Sequence, residues 1–472
     1  MQYTTNQTEE FMVKEGKDVA QLFSPFFEET TCIHQENTYV TQNKKYISKI
    51  QIFHKNKQKT YTFSHFLPRN CSFLQEKSFI KAYHKAHLYL ALKKFFHTSF
   101  AWGALTGIHP TMVVRKLIQQ GFSKQKIVHQ LHSVYGVTHQ KIKMLFQIIK
   151  TQGALQVPAN HVHLYIHIPF CPSKCMYCSF LAEELCTQKH ALQKYILYIK
   201  QDILNALWVI KQQNLTLQSM YIGGGTPTTL SAEQLEDVLS ILPNNVPEFT
   251  VEAGRPDTIT KEKLEVLKNY GVTRICINPQ TMHNQTLQTI GRWHTAEQIK
   301  EAKLLAQPFG FEINTDLIAG LPNETEAMFA STLQQVLALK PHQITVHTLS
   351  VKKGSPLEKL QPTPTHTKRM VTRAYAYLTK HHYKPYYIYK QKNMFDHQEN
   401  IGYTKTKPCL FNVHTMEECA SVIACGAGAI SKRVQTETGK IERLAQPKDI
   451  TLYQNRFEEL MQKRAEFFNK KL

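Results

Sequence analysis

From residue 161 the chain alternates strand-like and helix-like segments, and this constrains its fold more than any other feature. Strand candidates are 162–168, 217–222, 248–253, 273–277, 312–318 and 343–349. Helical periodicity falls between them, near 187–212, 231–241, 260–269, 295–306 and 324–338. Six strands separated by helices predict a parallel sheet with crossover connections. About 190 residues suffice for a three-quarter (βα)6 barrel of the TIM-like kind or for an open doubly wound sheet. In both, ligands sit at the carboxyl ends of the strands. The fold class expected is therefore α/β. Residues 1–157 read as an α+β N-terminal domain, with strand-like stretches at 38–52 and 58–64 and helical patterns at 77–97, 111–120, 123–134 and 138–150. Ser123 and Thr138 suit N-caps, and Gly121 and Gly136 sit where helices stop. Residues 158–355 form the barrel. Residues 356–472 form a small α+β extension covering the substrate, with a helix near 366–381, a strand-like run at 383–390, a Gly-rich turn at 425–429 and a helix at about 448–469.

The ten cysteines hold one tight cluster, Cys171, Cys175 and Cys178, directly after the first barrel strand. Thiolates are soft ligands for zinc or an iron–sulfur cluster. Structural zinc sites and most cubane clusters take four protein ligands. Three cysteines in CxxxCxxC leave one position open, so one iron of a [4Fe–4S] cube is free for a small molecule. The alternative is a zinc knuckle completed by His167 or Cys186. Cys32, Cys71, Cys409, Cys419 and Cys425 show no ligand spacing, and the last three read as packing residues.

The run YIHIPFCPSKCMYC (165–178), followed by GGGTPT (223–228), resembles radical S-adenosylmethionine (SAM) enzymes, in the branch of oxygen-independent coproporphyrinogen III oxidases and their relatives. The resemblance covers about 160–440, with further likeness at WGALTGIHP (102–110). VEAGRPDTIT (251–260) with INPQTM (277–282) is most similar to the HemZ-type branch, which also carries an extra N-terminal domain. The resemblance implies a partial (βα)6 radical SAM barrel, a [4Fe–4S] cluster on Cys171, Cys175 and Cys178, and SAM on its open iron. It implies SAM contacts from Gly224, Gly225 and Thr226, from Glu252, from Gln280, from Arg292 to the SAM carboxylate, and from Asp316 to the nucleoside. It puts Tyr165 near the substrate end. Gly426–Ala429 resembles a family segment that closes over the pocket, and reads equally well as a plain turn.

The implied reaction is anaerobic: two propionates of coproporphyrinogen III become vinyls, giving protoporphyrinogen IX. The best-known oxidases have a fourth cysteine two residues after the third; here that position is Phe180, the pattern of the haem-chaperone relatives. A haem-binding chaperone and a haem-modifying radical SAM methyltransferase are the alternatives.

Charge enters here because it points elsewhere. The chain carries 57 Lys+Arg and 36 Asp+Glu, a net +21. Residues 1–40 sum to −5, residues 41–150 to +18 and the remaining 322 residues to +8. A basic chain suggests nucleic acid or another anion. The excess lies outside the barrel, and 41–150 has no RRM core or KH loop, so nucleic acid is not the expected partner. An anionic tetrapyrrole and an acidic low-potential electron donor, such as a flavodoxin or ferredoxin, are. No stretch of ~18 uncharged apolar residues predicts a membrane span, the N-terminus does not read as a secretory signal, and the expected location is the cytoplasm.

Overall fold

The computed structural model describes residues 1–472 apart from 7–9, 69–72, 108, 156, 179–182, 185–188, 353–354, 361–365, 392–393, 436–439 and 470–472. Phe180, Cys71 and Cys186 therefore lie outside the described residues. Two compact units are present, Met1–Gln147 and Ile148–Leu472.

The first unit contains β1 (Gln2–Thr5), α1 (Glu10–Gln21), β2 (Cys32–Val40), β3 (Lys45–His54), β4 (Lys57–Phe66) and α2 (Phe73–Phe96). The strands form one sheet in the order β1-β2-β3-β4. The expected single stretch 38–52 is two strands, because the chain reverses at Thr41–Asn43 and Lys44 takes a left-handed conformation. Period-two alternation places Tyr46, Ser48, Ile50 and Ile52 of β3 inside, where α2 packs against the strand. Three short helices follow: α3 (Pro110–Gln119), α4 (Lys124–His129), continued by a π turn to Val134, and α5 (His139–Gln152), which runs across the unit boundary. Ser123 caps α4 by accepting from the Lys126 N–H.

The second unit starts with β5 (His161–Ile168), then β6 (Phe170–Cys171), β7 (Glu183–Glu184) and α6 (Lys189–Gln212). There follow β8 (Thr216–Gly224), α7 (Ala232–Leu239), β9 (Glu248–Val251), α8 (Lys261–Asn269), β10 (Arg274–Cys276), α9 (Asn284–Thr289), α10 (Ala296–Ala306), β11 (Glu312–Ala319), α11 (Glu326–Ala338) and β12 (Gln343–Thr348). The strands β5-β8-β9-β10-β11-β12 lie side by side in chain order, and every pairing is parallel. A doubly wound sheet reverses its strand order at a switch point; this one does not, so the six βα units form a partial barrel. Ser231, Thr260, Thr295 and Thr325 start α7, α8, α10 and α11 by accepting the N3 backbone N–H, and Ser231 and Thr295 complete capping boxes with Gln234 and Gln298.

The rest of the chain is α12 (Pro356–Leu360), α13 (Thr367–Lys380), β13 (Lys384–Tyr389), β14 (Asn400–Thr404), α14 (Leu410–Met416), β15 (Ser421–Cys425), β16 (Ile430–Val434), β17 (Ile441–Ala445), α15 (Ile450–Asn455) and α16 (Phe457–Asn469). Its strands join the barrel sheet at both edges. β14 runs antiparallel beside β12, and β15 parallel beside β5. The expected single final helix is two, broken at Arg456. Among the described residues no helix is long and apolar enough to cross a membrane.

The main core packs the barrel strands against α6, α7, α8 and α16 through residues such as Ile166, Ile203, Val251, Ile275 and Phe468. It includes a closed ion pair between Asp202 and Arg464, neither with any exposed surface. Tyr453 and the Gly426 N–H also donate to Asp202. This ties the C-terminal helices and the Gly-rich turn to α6.

Candidate functional site at the carboxyl ends of the barrel strands

Cys171 ends β6, three residues after β5. Its sulfur is 3.4 Å from Thr226 Oγ1. The Cys178 N–H donates to Cys175 O at 3.1 Å, a turn that brings the last two cysteines together. Burial pushes the Cys171 thiol up to about 11, and the nearby Cys175 and Cys178 act in the same direction, against Thr226 and Arg255. The three thiols are thus electrostatic neighbours. Among the described residues, however, no three His, Cys, Asp or Glu side chains stand at metal-holding separation.

Backbone contacts hold this segment against the end of β8, the residues after α9 and α12. The Gly225 and Thr226 N–H groups donate to Ile168 O and Phe170 O at 2.8 and 2.7 Å. A Cβ on Gly225 would lie 2.4 Å from Phe170 O, so only glycine allows this approach. Gly224 has φ +115°, and a Cβ there would meet the His167 ring at 2.2 Å. The Met176 N–H donates to Ile290 O, and the Leu357 N–H to Met176 O, both at 3.0 Å. Ser173 Oγ donates to Gly291 O at 3.2 Å.

Two closed arginines grip the same loop. Arg255, 3% exposed, donates from Nη1 to Ser173 Oγ at 3.0 Å and from Nε and Nη2 to both oxygens of Asp257. Arg292, 4% exposed, donates to Tyr177 Oη (3.2 Å), Gly254 O (2.6 Å) and Asn278 O (2.7 Å). The structure thus ties Arg292 to the cysteine loop and to the ends of β9 and β10. The Arg255–Asp257 pair was not singled out by sequence; a buried bend reading Gly-Arg-Pro-Asp after a strand is the signal that could have found it.

Glu252 and Gln280 follow β9 and β10, and Asp316 lies within the next strand, β11. Tyr221 Oη donates to Glu252 Oε1 at 2.7 Å, and the Gly224 N–H reaches Oε2 at 3.3 Å. Glu252 is partly open, yet desolvation raises its carboxyl to about 7; Tyr221 opposes this and the Asp316 charge adds to it. Gln280 has φ +66°, strained for a residue with a side chain. Bonds to β11 on both sides hold it there: its N–H donates to Asp316 O, and its carbonyl accepts from Ile318 N–H, each at 3.0 Å. Its amide oxygen is buried without a partner. Asp316 accepts from Asn314 Nδ2 at 2.8 Å and faces His347 Nε2 at 3.7 Å. Burial works against the Asp316 charge, but His347, Asn314 and Thr345 outweigh it and the carboxyl is lowered. Sequence reasoning missed His347, although it lies near the end of β12, beside β11, which carries Asp316.

A cavity of about 210 Å³ opens here, lined by Cys178, Tyr177, Gln280, His347, Tyr389 and Asn400 among others. The wider groove of about 590 Å³ between α6 and α15–α16 is lined by none of these residues. Tyr165 belongs to an aromatic cluster behind the cavity: its ring lies 6.1 Å from both Tyr221 and Phe411, and those two stack at 4.6 Å. Gly426 and Gly428, with φ +102° and +79°, do make a turn, closed by an Ala429 N–H bond to Gly426 O. Cys409 and Cys425 are buried and Cys419 partly so.

Three soft donors on one loop, a glycine-lined approach beside them and an orphaned amide oxygen fit a [4Fe–4S] cluster with a polar small molecule next to it.

A profile of the Radical SAM superfamily matches residues 165–336. The oxygen-independent coproporphyrinogen-III oxidase-like protein HemZ of Bacillus subtilis is 37% identical over 420 residues, 85% of this chain and 83% of that one. The heme chaperone HemW of the same organism is 34% identical over 195 residues, 40% of this chain and half of that one. An oxygen-independent coproporphyrinogen III oxidase of Helicobacter pylori is 30% identical over 233 residues, covering 47% of this chain and half of its own. Among solved structures, the radical SAM coproporphyrinogen III oxidase HemN of Escherichia coli aligns with a TM-score of 0.49 at 21% identity, over 65% of this chain and 71% of that one. SAM and a [4Fe–4S] cluster are what this superfamily implies. With a relative this similar across most of both chains, the protein belongs to the HemZ-type family of oxygen-independent coproporphyrinogen-III oxidase-like radical SAM proteins.

Proposed function

We propose that this chain converts two propionates of coproporphyrinogen III to vinyls without oxygen, giving protoporphyrinogen IX. When bound, the cluster and SAM supply an electron and a 5′-deoxyadenosyl radical. Each propionate then loses a β-hydrogen, CO₂ and one electron, which passes to an acceptor.

Cys171, Cys175 and Cys178 would hold the cluster, and Gly224, Gly225 and Thr226 offer close backbone approach beside it. Gln280 presents its unpaired amide oxygen to a donor on the ligand. Glu252, with its carboxyl at about 7, attracts a cationic ligand once ionised. Asp316, kept ionised by His347 and Asn314, accepts hydroxyl hydrogens. Arg292 fixes the cysteine loop against two strand ends, and Tyr165, Tyr221 and Phe411 keep the inner wall free of water.

The observation that carries this reading is the reach of the likeness: the HemZ relative matches over 85% of the chain, including the N-terminal region, whereas the chaperone HemW matches over 40%. Phe180 in place of a fourth cysteine favours a second reading, a haem chaperone that binds and transfers haem. The test is turnover. The cluster is reconstituted without oxygen, and SAM, a low-potential reductant, an electron acceptor and coproporphyrinogen III are added. Vinyl products support the enzyme. 5′-Deoxyadenosine without them, together with stoichiometric haem binding and transfer, supports the chaperone.

A further inference from the structure

We propose that α4 and α5 of the first unit form a helix-turn-helix that binds duplex DNA, with the start of α5 in the major groove. α4 and its π turn run from Lys124 to Val134, residues 135–138 make a four-residue turn, and α5 begins at His139. Two helices joined by so short a turn, with a glycine in it, are the frame of this motif. Gly136 takes φ +72°, and a Cβ there would meet the Tyr89 ring of α2 at 2.6 Å. Leu131, Val137, Ile142 and Leu145 are buried beneath the two helices. Thr138, His139, Gln140 and Lys143, at the start of α5, are exposed.

The turn is braced by the start of WGALTGIHP (102–110), a segment to which the chemistry above gives no role. The Ala104 N–H donates to Tyr135 O at 2.8 Å, and the Thr138 N–H to Ala101 O at 3.0 Å. A Cβ on Gly103 would lie 2.0 Å from Tyr135 O, so only glycine allows this approach. Lys141 Nζ lies 5.6 Å from the centre of the buried Trp102 ring. The His132 ring of the first helix stacks on His139 of the second at 3.9 Å, and Lys124 Nζ lies 5.4 Å from the Phe146 ring centre. Side chains of both helices therefore share one face, and the turn between them is fixed.

Charge and shape select the ligand. No Asp or Glu occurs between Glu76 and Glu183. Lys124, Lys126 and Lys143 are exposed, and among the described residues no carboxylate pairs with any of them. Such a face draws a polyanion. From 124 to 147 no large apolar side chain is exposed among the described residues. The face thus lacks both the apolar stripe with which a helix enters a lipid surface and the aromatic anchor of a protein interface. The major groove of B-form DNA admits a helix, whereas that of duplex RNA does not. Lys124 and Lys126 meet phosphates, and Gln140 and Lys143 reach base edges. The lack of an RRM core or KH loop does not bear on this, because those modules take single strands.

The test is fluorescence anisotropy of a labelled, mixed-sequence DNA duplex of about two helical turns, titrated with the full chain. Binding should weaken steeply as salt rises. At about 50 mM salt, Lys143→Glu should weaken it roughly tenfold and lower the log–log salt slope by about 1. Lys59→Glu, the same charge change on the exposed strand β4, should change affinity by no more than about twofold, as expected of a screened, distant charge. Far-UV circular dichroism of both variants should match the wild type. Unlabelled RNA duplex and phosphatidylglycerol vesicles should compete far less than unlabelled DNA duplex. No binding at low salt would overturn the proposal. So would equal losses in the two variants, which would make the binding a matter of net charge. Competition by the RNA duplex or the vesicles equal to that by DNA would also overturn it, and would assign the face to RNA or to a lipid surface.

Discussion

Between the sheet and α2 of the first unit, Tyr3, Gln35, Asn37, Ser48, His84 and His87 form one continuous run of hydrogen bonds; at the strand ends of the second, Gln280, Arg292 and His294 each keep a buried atom without a partner. In the first network burial holds His84 at about 4 and His87 at about 3, so both stay neutral, and each polar group meets another. Such a network fixes how sheet and helix pack. In the second region Gln280 is in addition strained, at φ +66°. Unsatisfied groups and strain together mark a place built to hold something else. The candidate site residues all belong to the second unit, and the difference between the two regions can be tested.

The largest effect is expected at the cysteines. Cys171→Ala should abolish cluster loading and all SAM cleavage while leaving the far-UV circular dichroism unchanged. Next comes Gln280→Ala, or Asp316→Asn. Each should weaken SAM binding by about tenfold, the worth of one good hydrogen bond to a charged group, with the cluster's absorbance intact; equilibrium titration with SAM measures it. Glu252 gives a pH signature. Its carboxyl is raised to about 7, so it is mostly protonated below that pH and ionised above it. A cationic ligand favours the ionised form. SAM affinity should therefore rise as pH increases through about 7, and Glu252→Gln should flatten the profile. The smallest effect on chemistry belongs to the first unit. Ser48→Ala leaves His87 Nδ1 without its partner and should cost about 1–3 kcal/mol of stability, read by denaturant titration, with SAM cleavage per loaded cluster unchanged.

The barrel was legible because its grammar is local. Apolar runs such as 162–168 and helical periodicity such as 231–241 and 295–306 mark β5, α7 and α10 within about two residues. The sheet's edges were not legible. β14 and β15 are short, and their places come from pairing with β12 and β5, which local propensity does not encode. The turn at Lys44 was hidden for a related reason: a lysine at φ 51° carries no glycine signal. In the site, residues at strand ends could be listed in order, but their partners could not. The Arg255–Asp257–Ser173 bridge joins segments 82 positions apart, and the His347–Asp316 pair depends on neighbouring strands in register.

The most direct test of the account is electron paramagnetic resonance of the anaerobically reconstituted, dithionite-reduced protein with and without SAM, alongside an assay for 5′-deoxyadenosine. The account predicts a reduced [4Fe–4S] signal that changes when SAM binds, with 5′-deoxyadenosine formed, and loss of both in Cys171→Ala. A signal indifferent to SAM with no 5′-deoxyadenosine, or a tightly held zinc in place of iron, would contradict it.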